Sequence, residues 1–366
     1  MGGNALNKVI ASRINLEKYI QVKKDLEEKF NQYLELEFTI DVPGKIDFGD
    51  IDMLYIVKNK TDNDNNKWNI DLHNFDLTQL INQIYTPVEI VLNGPVCSFA
   101  YYLDSVDKYF QVDLINVDNL PMSRFYFSYG DLGGIIGRLT QHKSITYGSK
   151  GLWVHPNQEI INKFLSISEL SLEISKEQII KSILPNIILT NDPEQICIYL
   201  GLDWNKWIRG FENKEEIFEW VKSSTWFNSD SFRALDYEHR HRVNSRPMYQ
   251  EFLKFIFVDE PNFTIENGNS SKYINSNLQL ESLDYFSKTH ILAEEILEVQ
   301  RRLLRKNKFS GKKFLDLGIE SKQIKKYLEE FKLYIESTFE LDFEIWLDIS
   351  NSEVIDKNIN EFLSKK

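Results

Sequence analysis

The sequence predicts an α+β protein in which a mixed β-sheet with helices comes first and mainly α-helical domains follow. Alternating apolar and polar residues, typical of strands, are concentrated before residue 155, and helical spacing of apolar residues dominates after it. The length of 366 residues suits two or three domains, which we place at 1–155, 156–265 and 278–366.

The first domain alternates helix and strand signals. Its predicted order is helix 15–34, strand 36–42, a turn at Pro43-Gly44, strand 51–57, a polar loop at 61–66, helix 77–84, strands 88–92 and 97–103 joined by a hairpin at Asn93-Gly94, and strand 109–117.

Helical patterns dominate the rest of the chain. We predict helices at 166–184, with Ser166 and Glu169 as a capping box, and at 193–200, 215–221 and 248–257. The polar stretch 266–277 is the candidate linker. The tail 278–366 is expected to be mainly helical, with a strand signal near 343–347.

Composition restricts the classes of function. A net charge of −12 is unfavourable for a protein that wraps nucleic acid, because phosphate contacts need Lys and Arg. Cys97 and Cys197 fit no metal-ligand spacing and suit a reducing compartment. Neither a membrane-spanning run nor a signal-peptide layout is expected. We therefore expect a soluble cytoplasmic protein without a membrane partner, in the host cytoplasm if the source is viral.

An acidic pair at the start of a predicted strand is the most informative motif. In the segment GDIDML, Asp50 and Asp52 are two residues apart and point to the same face of the strand. Two carboxylates that project together repel each other unless a cation lies between them. The alternative is a strand that begins in solvent, with both acids hydrated.

A third acid lies in the predicted strand YFQVDLINV. Asp113 stands among apolar neighbours, where a charge is costly without a partner. If this strand pairs beside the first, three carboxylates converge, and hard oxygen ligands suit two Mg²⁺ or Mn²⁺ ions. An acid on an edge strand is the alternative for Asp113 alone.

The spacing of GDIDML and FQVDLI resembles the signature of the polymerase-β-like nucleotidyltransferase superfamily, including viral poly(A) polymerases and tRNA nucleotidyltransferases. The resemblance implies a nucleotidyltransferase-type catalytic domain in residues 1–155. It also implies that Asp50 and Asp52 bind both metal ions and that Asp113 helps to activate the attacking hydroxyl.

Further residues are candidates for contacts with the nucleotide. Gly2-Gly3 resembles the glycine element of that superfamily, with a flexible N-terminus as the alternative. The other candidates are cations that could neutralise triphosphate charge, namely Lys45, Arg138, Lys143, Arg240 and Arg246. For each of these, an ordinary helix, loop or solvated helix end is the alternative.

These observations predict a template-independent nucleotidyltransferase that transfers NMP from an NTP to a hydroxyl. An RNA 3′ end is the preferred acceptor, because the C-terminal region has basic clusters such as 301–308 and loosely resembles tRNA nucleotidyltransferases there. Two alternatives are the nucleotidylation of a protein or small molecule, which the acidic net charge favours, and an inactive protein that binds a nucleotide or a partner.

Overall fold

The computed structural model describes residues 3–58, 76–104, 106–235, 237–260, 263–267 and 275–366. Gly2, the predicted loop at 61–66 and most of the candidate linker lie outside the described residues. In the described part of the chain, no helix is long and apolar enough to cross a membrane.

Helices and strands alternate up to residue 154 and helices predominate after it, which confirms the predicted fold class. The first group is β1 (Ile14–Asn15), α1 (Leu16–Phe30), β2 (Leu34–Phe38), β3 (Asp47–Phe48), β4 (Asp50–Val57), α2 (Leu77–Tyr85), β5 (Ile90–Asn93), β6 (Val96–Leu103), β7 (Lys108–Asn116), α3 (Leu120–Phe127), α4 (Leu132–Gln141), β8 (Thr146–Gly148) and β9 (Gly151–Val154). The second group is α5 (Gln158–Ile167), α6 (Lys176–Ile180), β10 (Ile187–Thr190), α7 (Pro193–Leu200), α8 (Trp204–Arg209), α9 (Lys214–Lys222), β11 (Ala234–Leu235), α10 (Tyr237–Asn244), α11 (Pro247–Ile256), β12 (Glu266–Asn267), α12 (Ser276–Tyr285), α13 (Thr289–Lys308), α14 (Lys312–Asp316), α15 (Ile324–Phe339), α16 (Phe343–Ile349) and α17 (Ser352–Ser364).

A five-stranded mixed sheet organises the first 154 residues. Its strand order is β2-β4-β7-β6-β5, and β4 pairs with β7 in parallel whereas the other pairs are antiparallel. One face buries alternate residues of β4 and β7, such as Ile51, Met53, Val112 and Leu114, against α1 and α2. Because side chains alternate along a strand, the residues between these positions project from the opposite face.

Contacts divide the chain into two compact units. The first unit contains residues 1–154 and 188–275, and the second contains residues 155–187 and 276–366. The second unit has an apolar core of its own, in which Phe314, Phe331 and Ile355 are fully buried. The functional division at 1–155, 156–265 and 278–366 stays a prediction.

The predicted helix at 166–184 is wrong. Helix α5 already ends at Ile167 and α6 covers only Lys176–Ile180. The Ser166 hydroxyl donates to the carbonyl of Lys163 rather than capping a new helix. Serine competes with helical backbone bonds in this way, so the serine-rich stretch between α5 and α6 interrupts the pattern.

The strand signal near 343–347 is also wrong, because these residues form α16. The Asp342 carboxylate accepts from the N–H groups of Glu344 and Ile345, which caps the helix. Trp346 and Leu347 are both buried although they are adjacent in sequence. Adjacent buried positions fit one face of a short helix better than the alternation of a half-buried strand.

Candidate active site

Three polar residues form a row across the middle of the five-stranded sheet. In the parallel pairing of β4 with β7, Asp52 lies opposite Asp113. On the other side of β7, Ser98 of β6 lies opposite Asp113 and hydrogen-bonds to its carboxylate. Cross-strand neighbours share a face of the sheet. Asp113 is buried at 8% exposure on a central strand, which excludes the edge-strand alternative.

A second row lies two residues earlier along the same parallel strands. Asp50 is opposite Gln111 and, because it is two residues from Asp52, projects from the same face. The side-chain amide of Gln111 donates to Oδ1 and Oδ2 of Asp113 at 3.0 and 2.9 Å. The backbone N–H of Gly3 donates to Asp50 Oδ2 at 3.0 Å. The sheet thus gathers the three predicted carboxylates on one face.

Burial and mutual repulsion make two of these carboxylates hard to ionise. Burial is the main reason why the pKa of Asp52 is raised to about 7, and the charges of Asp50 and Asp113 act in the same direction. Burial also raises the pKa of Asp113, although hydrogen bonds from Ser98 and Gln111 oppose that rise. A nearby cation would lower the pKa of both carboxyls, because it stabilises their charged forms.

The N-terminal segment 3–9 is attached to the same sheet. The backbone N–H of Ala5 donates to Gln111 Oε1 at 2.8 Å. The three N–H groups of Asn7–Val9 donate to the carboxylate of Glu89 at 2.7 to 3.3 Å. Burial favours the protonated form of Glu89, but these bonds outweigh it and lower the pKa of the carboxyl. The segment is therefore held beside the acidic rows.

A cleft of about 800 Å³ opens beside Asp52. Its walls come from residues 39–45, from the stretch 130–134 at the start of α4, and from residues 245–248, together with Lys214. Pockets for small-molecule ligands measure about 300–1,000 Å³. The cleft is therefore large enough for a nucleotide.

Lys45 is the predicted cation that shares this cleft with Asp52. Its ammonium donates to Asp41 Oδ1 at 2.7 Å, and the other oxygen of Asp41 accepts from the hydroxyl of Tyr19 at 2.6 Å. The ammonium also lies 4.8 Å from the ring centroid of Phe48. These contacts hold a positive charge beside the acidic rows, where it opposes the rise in the pKa of Asp52.

Arg246 also lines this cleft. Its guanidinium is 3.9 Å from a carboxylate oxygen of Asp131. A Cβ added at Gly134 would come within 2.9 Å of Arg246 Nη1, so glycine allows the arginine to lie against α4.

The remaining predicted cations do not line this cleft among the described residues. Arg138 is buried and donates from Nε to the carbonyl of Ser231 at 2.6 Å. The ammonium of Lys143 lies 4.8 Å from the ring of Trp226. The Nε of Arg240 is buried and has no hydrogen-bond partner in the described part of the chain. The cleft thus contains two of the five predicted cations, and a phosphate-binding role stays a prediction for each.

The donor chemistry of the acidic rows fits a hard divalent cation, because carboxylate oxygens are its preferred ligands. In the present arrangement, no three His, Cys, Asp or Glu side chains of the described ranges meet closely enough to hold an ion. Asp113 is turned toward Gln111 and Asp50 toward the N–H of Gly3. Asp50, Asp52 and Asp113 are the residues that would hold a cation after these side chains reorient.

Comparisons with known proteins leave the family open. No protein-family model matches the sequence, and no curated protein matches it. Among solved structures, the chain is similar to the ternary gap complex of Leishmania infantum polymerase beta, with a TM-score of 0.36 and 11% identity over 53% of this chain and 69% of that chain. This degree of overlap does not define a family.

Two polar residues that flank Asp113 were not predicted from the sequence. Gln111 precedes Asp113 by two residues, the same spacing as Asp50 and Asp52, so strand alternation could have placed it on the acidic face. Ser98 lies on another strand, and its position depends on the register of β6 against β7, which strand signals do not specify.

Proposed function

We propose that the protein is a template-independent nucleotidyltransferase that transfers NMP from an NTP to a hydroxyl group. The in-register pairing of Asp52 with Asp113 on two parallel central strands is the observation that carries this proposal. With Asp50, it gathers three carboxylates on one sheet face, beside a cleft large enough for a nucleotide. Acids so arranged are costly to keep charged unless a cation is bound there.

The three acids have distinct roles in this proposal. Two Mg²⁺ or Mn²⁺ ions held by Asp50, Asp52 and Asp113 would stabilise charge on the attacking and leaving oxygens. Asp113 orients the acceptor hydroxyl and takes its proton. The bond from the acceptor oxygen to the α-phosphorus forms while the bond from that phosphorus to pyrophosphate breaks.

The cations of the cleft would bind the triphosphate. Lys45 and Arg246 both line the cleft, and each would exchange its contact with a carboxylate, Asp41 or Asp131, for a phosphate oxygen. A guanidinium suits bidentate phosphate binding, whereas an ammonium acts as a point charge. The N–H of Gly3 could turn from Asp50 to a phosphate oxygen when a cation replaces that hydrogen bond.

An RNA 3′ end is our proposed acceptor, in line with the basic stretch 301–308 and the resemblance in the C-terminal region. A protein or small-molecule acceptor is the second candidate, and the ion pairs of the second unit favour it. Arg305 donates to Asp348 and Glu344, and Lys313 pairs with Asp356. Cations that are neutralised within the fold are less available for RNA phosphates.

The test is the transfer of label from each of the four α-³²P NTPs to total RNA, with Mg²⁺ or Mn²⁺. Asp50→Ala/Asp52→Ala protein is the inactive comparison. Asp118→Asn is the matched control, because Asp118 is an exposed acid paired with Lys150. Label that enters RNA only when Asp50 and Asp52 are intact would support the RNA acceptor and reveal the base preference.

Other results would redirect or overturn the proposal. Metal-dependent NTP binding without labelled RNA would favour a protein or small-molecule acceptor, which the same label would reveal in a cell extract. Equal transfer by the double variant would show that the acidic rows are not catalytic. An absence of NTP binding would overturn the enzyme proposal altogether.

A further inference from the structure

A second cavity, of about 240 Å³, adjoins the cleft beside Asp52. The cleft and the cavity share Tyr126, Gly133, Gly134 and Arg246 in their linings. A ligand that lies along the cleft can therefore extend past the start of α4 into the cavity. Because pockets for whole ligands measure about 300–1,000 Å³, this smaller cavity suits one ring system rather than an entire nucleotide.

The wall of the cavity formed by α4 lacks side chains at three positions. Gly133, Gly134 and Gly137 line it and leave the helix backbone open. A Cβ added at Gly133 would meet the carbonyl oxygen of Tyr126 at 2.3 Å, so that position requires glycine. At Gly137 the nearest atom would be 3.9 Å away, on the backbone of Tyr147, so a methyl group fits there without a clash.

Tyr147 lines the cavity and has a hydroxyl group without a hydrogen-bond partner in the described part of the chain. The residue is 6% exposed, and its hydroxyl is buried without a hydrogen-bond partner among the residues that the structure describes. Buried hydroxyls are nearly always paired, because an unpaired one loses its hydrogen bonds to water. Because this hydroxyl has almost no accessible surface, a ligand with a polar edge would become its partner only after the ring of Tyr147 turns toward the cavity.

The other lining residues favour a flat aromatic ligand. The rings of Tyr126 and Tyr147 lie 5.4 Å apart between centroids. Gln141, Thr146 and Arg138 also line the cavity and add hydrogen-bonding groups. The guanidinium of Arg138 is held within the fold, because it donates to Gln141 Oε1 at 3.0 Å and to the carbonyl of Ser231. Nucleobases stack on aromatic side chains and present donors and acceptors along their edges.

We propose that this cavity binds the base of the NTP and that Tyr147 helps to determine which base is accepted. This inference rests on the proposed function, since it assumes a triphosphate in the neighbouring cleft. The phosphates would lie near Lys45 and Asp52, and the base would pass Arg246 to reach the cavity. Gly137 keeps the space open for it.

Binding of ATP, CTP, GTP and UTP by calorimetry, with Mg²⁺ and no acceptor, tests the proposal. Inorganic tripolyphosphate is the control ligand, because it has the three phosphates of an NTP but no base. We expect Gly137→Leu to fill the cavity and to raise the Kd of every NTP at least about tenfold. Tripolyphosphate should bind to this variant as it does to the wild type. Tyr147→Phe should weaken the best-bound NTP about tenfold and narrow the preference among bases.

Two further variants separate this role from a general loss of structure. Gly137→Ala should retain the wild-type Tm or exceed it, since alanine favours a helix interior over glycine, and should weaken the NTPs less than Gly137→Leu. Tyr129→Phe removes the hydroxyl of another buried tyrosine, 3% exposed and outside both linings, and should bind every NTP normally.

Three outcomes would overturn the proposal. Folded Gly137→Leu protein that binds NTPs as the wild type does would place the base elsewhere. Wild-type protein that binds NTPs no better than tripolyphosphate would show that no base is recognised. These two outcomes leave the proposed function intact, whereas failure to bind either NTPs or tripolyphosphate would overturn both proposals.

Discussion

The side-chain amide of Gln111 donates to both carboxylate oxygens of Asp113, at 3.0 and 2.9 Å. The oxygen of the same amide accepts the N–H of Ala5 at 2.8 Å. Gln111 thereby links the central acid to the N-terminal segment. It also fixes the orientation of a carboxylate that the proposed function assigns to a cation.

We expect Gln111→Leu to weaken Mn²⁺ binding about 10- to 100-fold, the usual effect of removing a partner of a metal ligand. The physical reason is that the Asp113 carboxylate, once one of its oxygens has turned toward a cation, loses the glutamine amide that can hold the other oxygen and keeps only the hydrogen bond from Ser98. Titration of Mn²⁺ followed by electron paramagnetic resonance measures the change. Gln300→Leu removes another buried glutamine side chain, in the second unit, and should bind Mn²⁺ normally. Equal affinities for Gln111→Leu and the wild type would contradict the prediction.

The raised pKa of Asp52 predicts how stability depends on pH in the absence of metal. The pKa rises from 3.8 to about 7, mainly through burial and then through the charges of Asp50 and Asp113. Between these two values the folded chain binds more protons than the unfolded chain, so the free energy of unfolding falls as pH rises. Above about pH 7 the charged carboxylate destabilises the metal-free protein.

Asp52→Asn should therefore raise the free energy of unfolding at about pH 8 by roughly 1–3 kcal/mol, allowing about 1.4 kcal/mol per pKa unit and a reduction for solvent screening. The gain should disappear near pH 4, where the wild-type carboxyl is also largely neutral. Urea unfolding in EDTA at both pH values measures it. A variant that is less stable than the wild type at about pH 8 would show that Asp52 is not an unfavourable charge.

A divalent cation should offset that difference in stability between the wild type and Asp52→Asn. Mg²⁺ or Mn²⁺ at about 100 times its Kd stabilises a folded protein by roughly 2.7 kcal/mol. We expect this increase in the wild type at about pH 8 and little or none in Asp52→Asn, which lacks one of the proposed ligands. Thermal unfolding with and without the ion measures it, and Asp118→Asn serves as the control. An equal increase in all three proteins would indicate binding away from the acidic rows.

Local patterns were sufficient to predict four of the five strands of the sheet to within about two residues, because each is short and has alternating or strongly apolar residues. The exception is the predicted strand 36–42, because β2 covers Leu34–Phe38 and residues 39–42 line the cleft instead. Val57 ends β4 and Asn93-Gly94 forms the hairpin between β5 and β6, as predicted. The patterns failed where side chains compete with the backbone, as at Ser166, or where a cap selects a helix, as at Asp342. Those outcomes depend on bonds that apolar spacing does not report.

The candidate site was predictable only in part, for a related physical reason. Spacing placed Asp50 and Asp52 on one face, but only the pairing of β4 with β7 brings Asp113 opposite Asp52. The cleft combines residues 39–45 with residues 245–248, which are about 200 positions apart in sequence. Such a contact depends on tertiary packing. The sequence therefore predicts Arg246 as a candidate contact for the triphosphate but does not predict its position in the cleft.

The three hydrogen bonds between Glu89 and Asn7–Val9 predict a second pH-dependent contact. Although burial acts to raise the pKa of Glu89, the backbone N–H groups lower it below its ordinary value of 4.5. The stability that this contact contributes is therefore fully present above the pKa of Glu89 in the unfolded chain. It is lost as pH falls through the lower pKa of Glu89 in the folded chain. Glu89→Gln removes the charge and leaves a single carbonyl oxygen for three donors.

We expect the amides of Asn7–Val9 to exchange with solvent at least about tenfold faster in Glu89→Gln near pH 7. The same amides in the wild type should lose protection, relative to intrinsic rates, as pH falls below the ordinary glutamate pKa of 4.5 and through the lower pKa of Glu89 in the folded chain. Hydrogen exchange resolved by NMR measures both effects. Glu35→Gln, at an exposed position on β2, is the control and should leave residues 7–9 protected. Equal protection in Glu89→Gln and the wild type would show that the Ala5 and Gly3 contacts alone hold the segment beside the acidic rows.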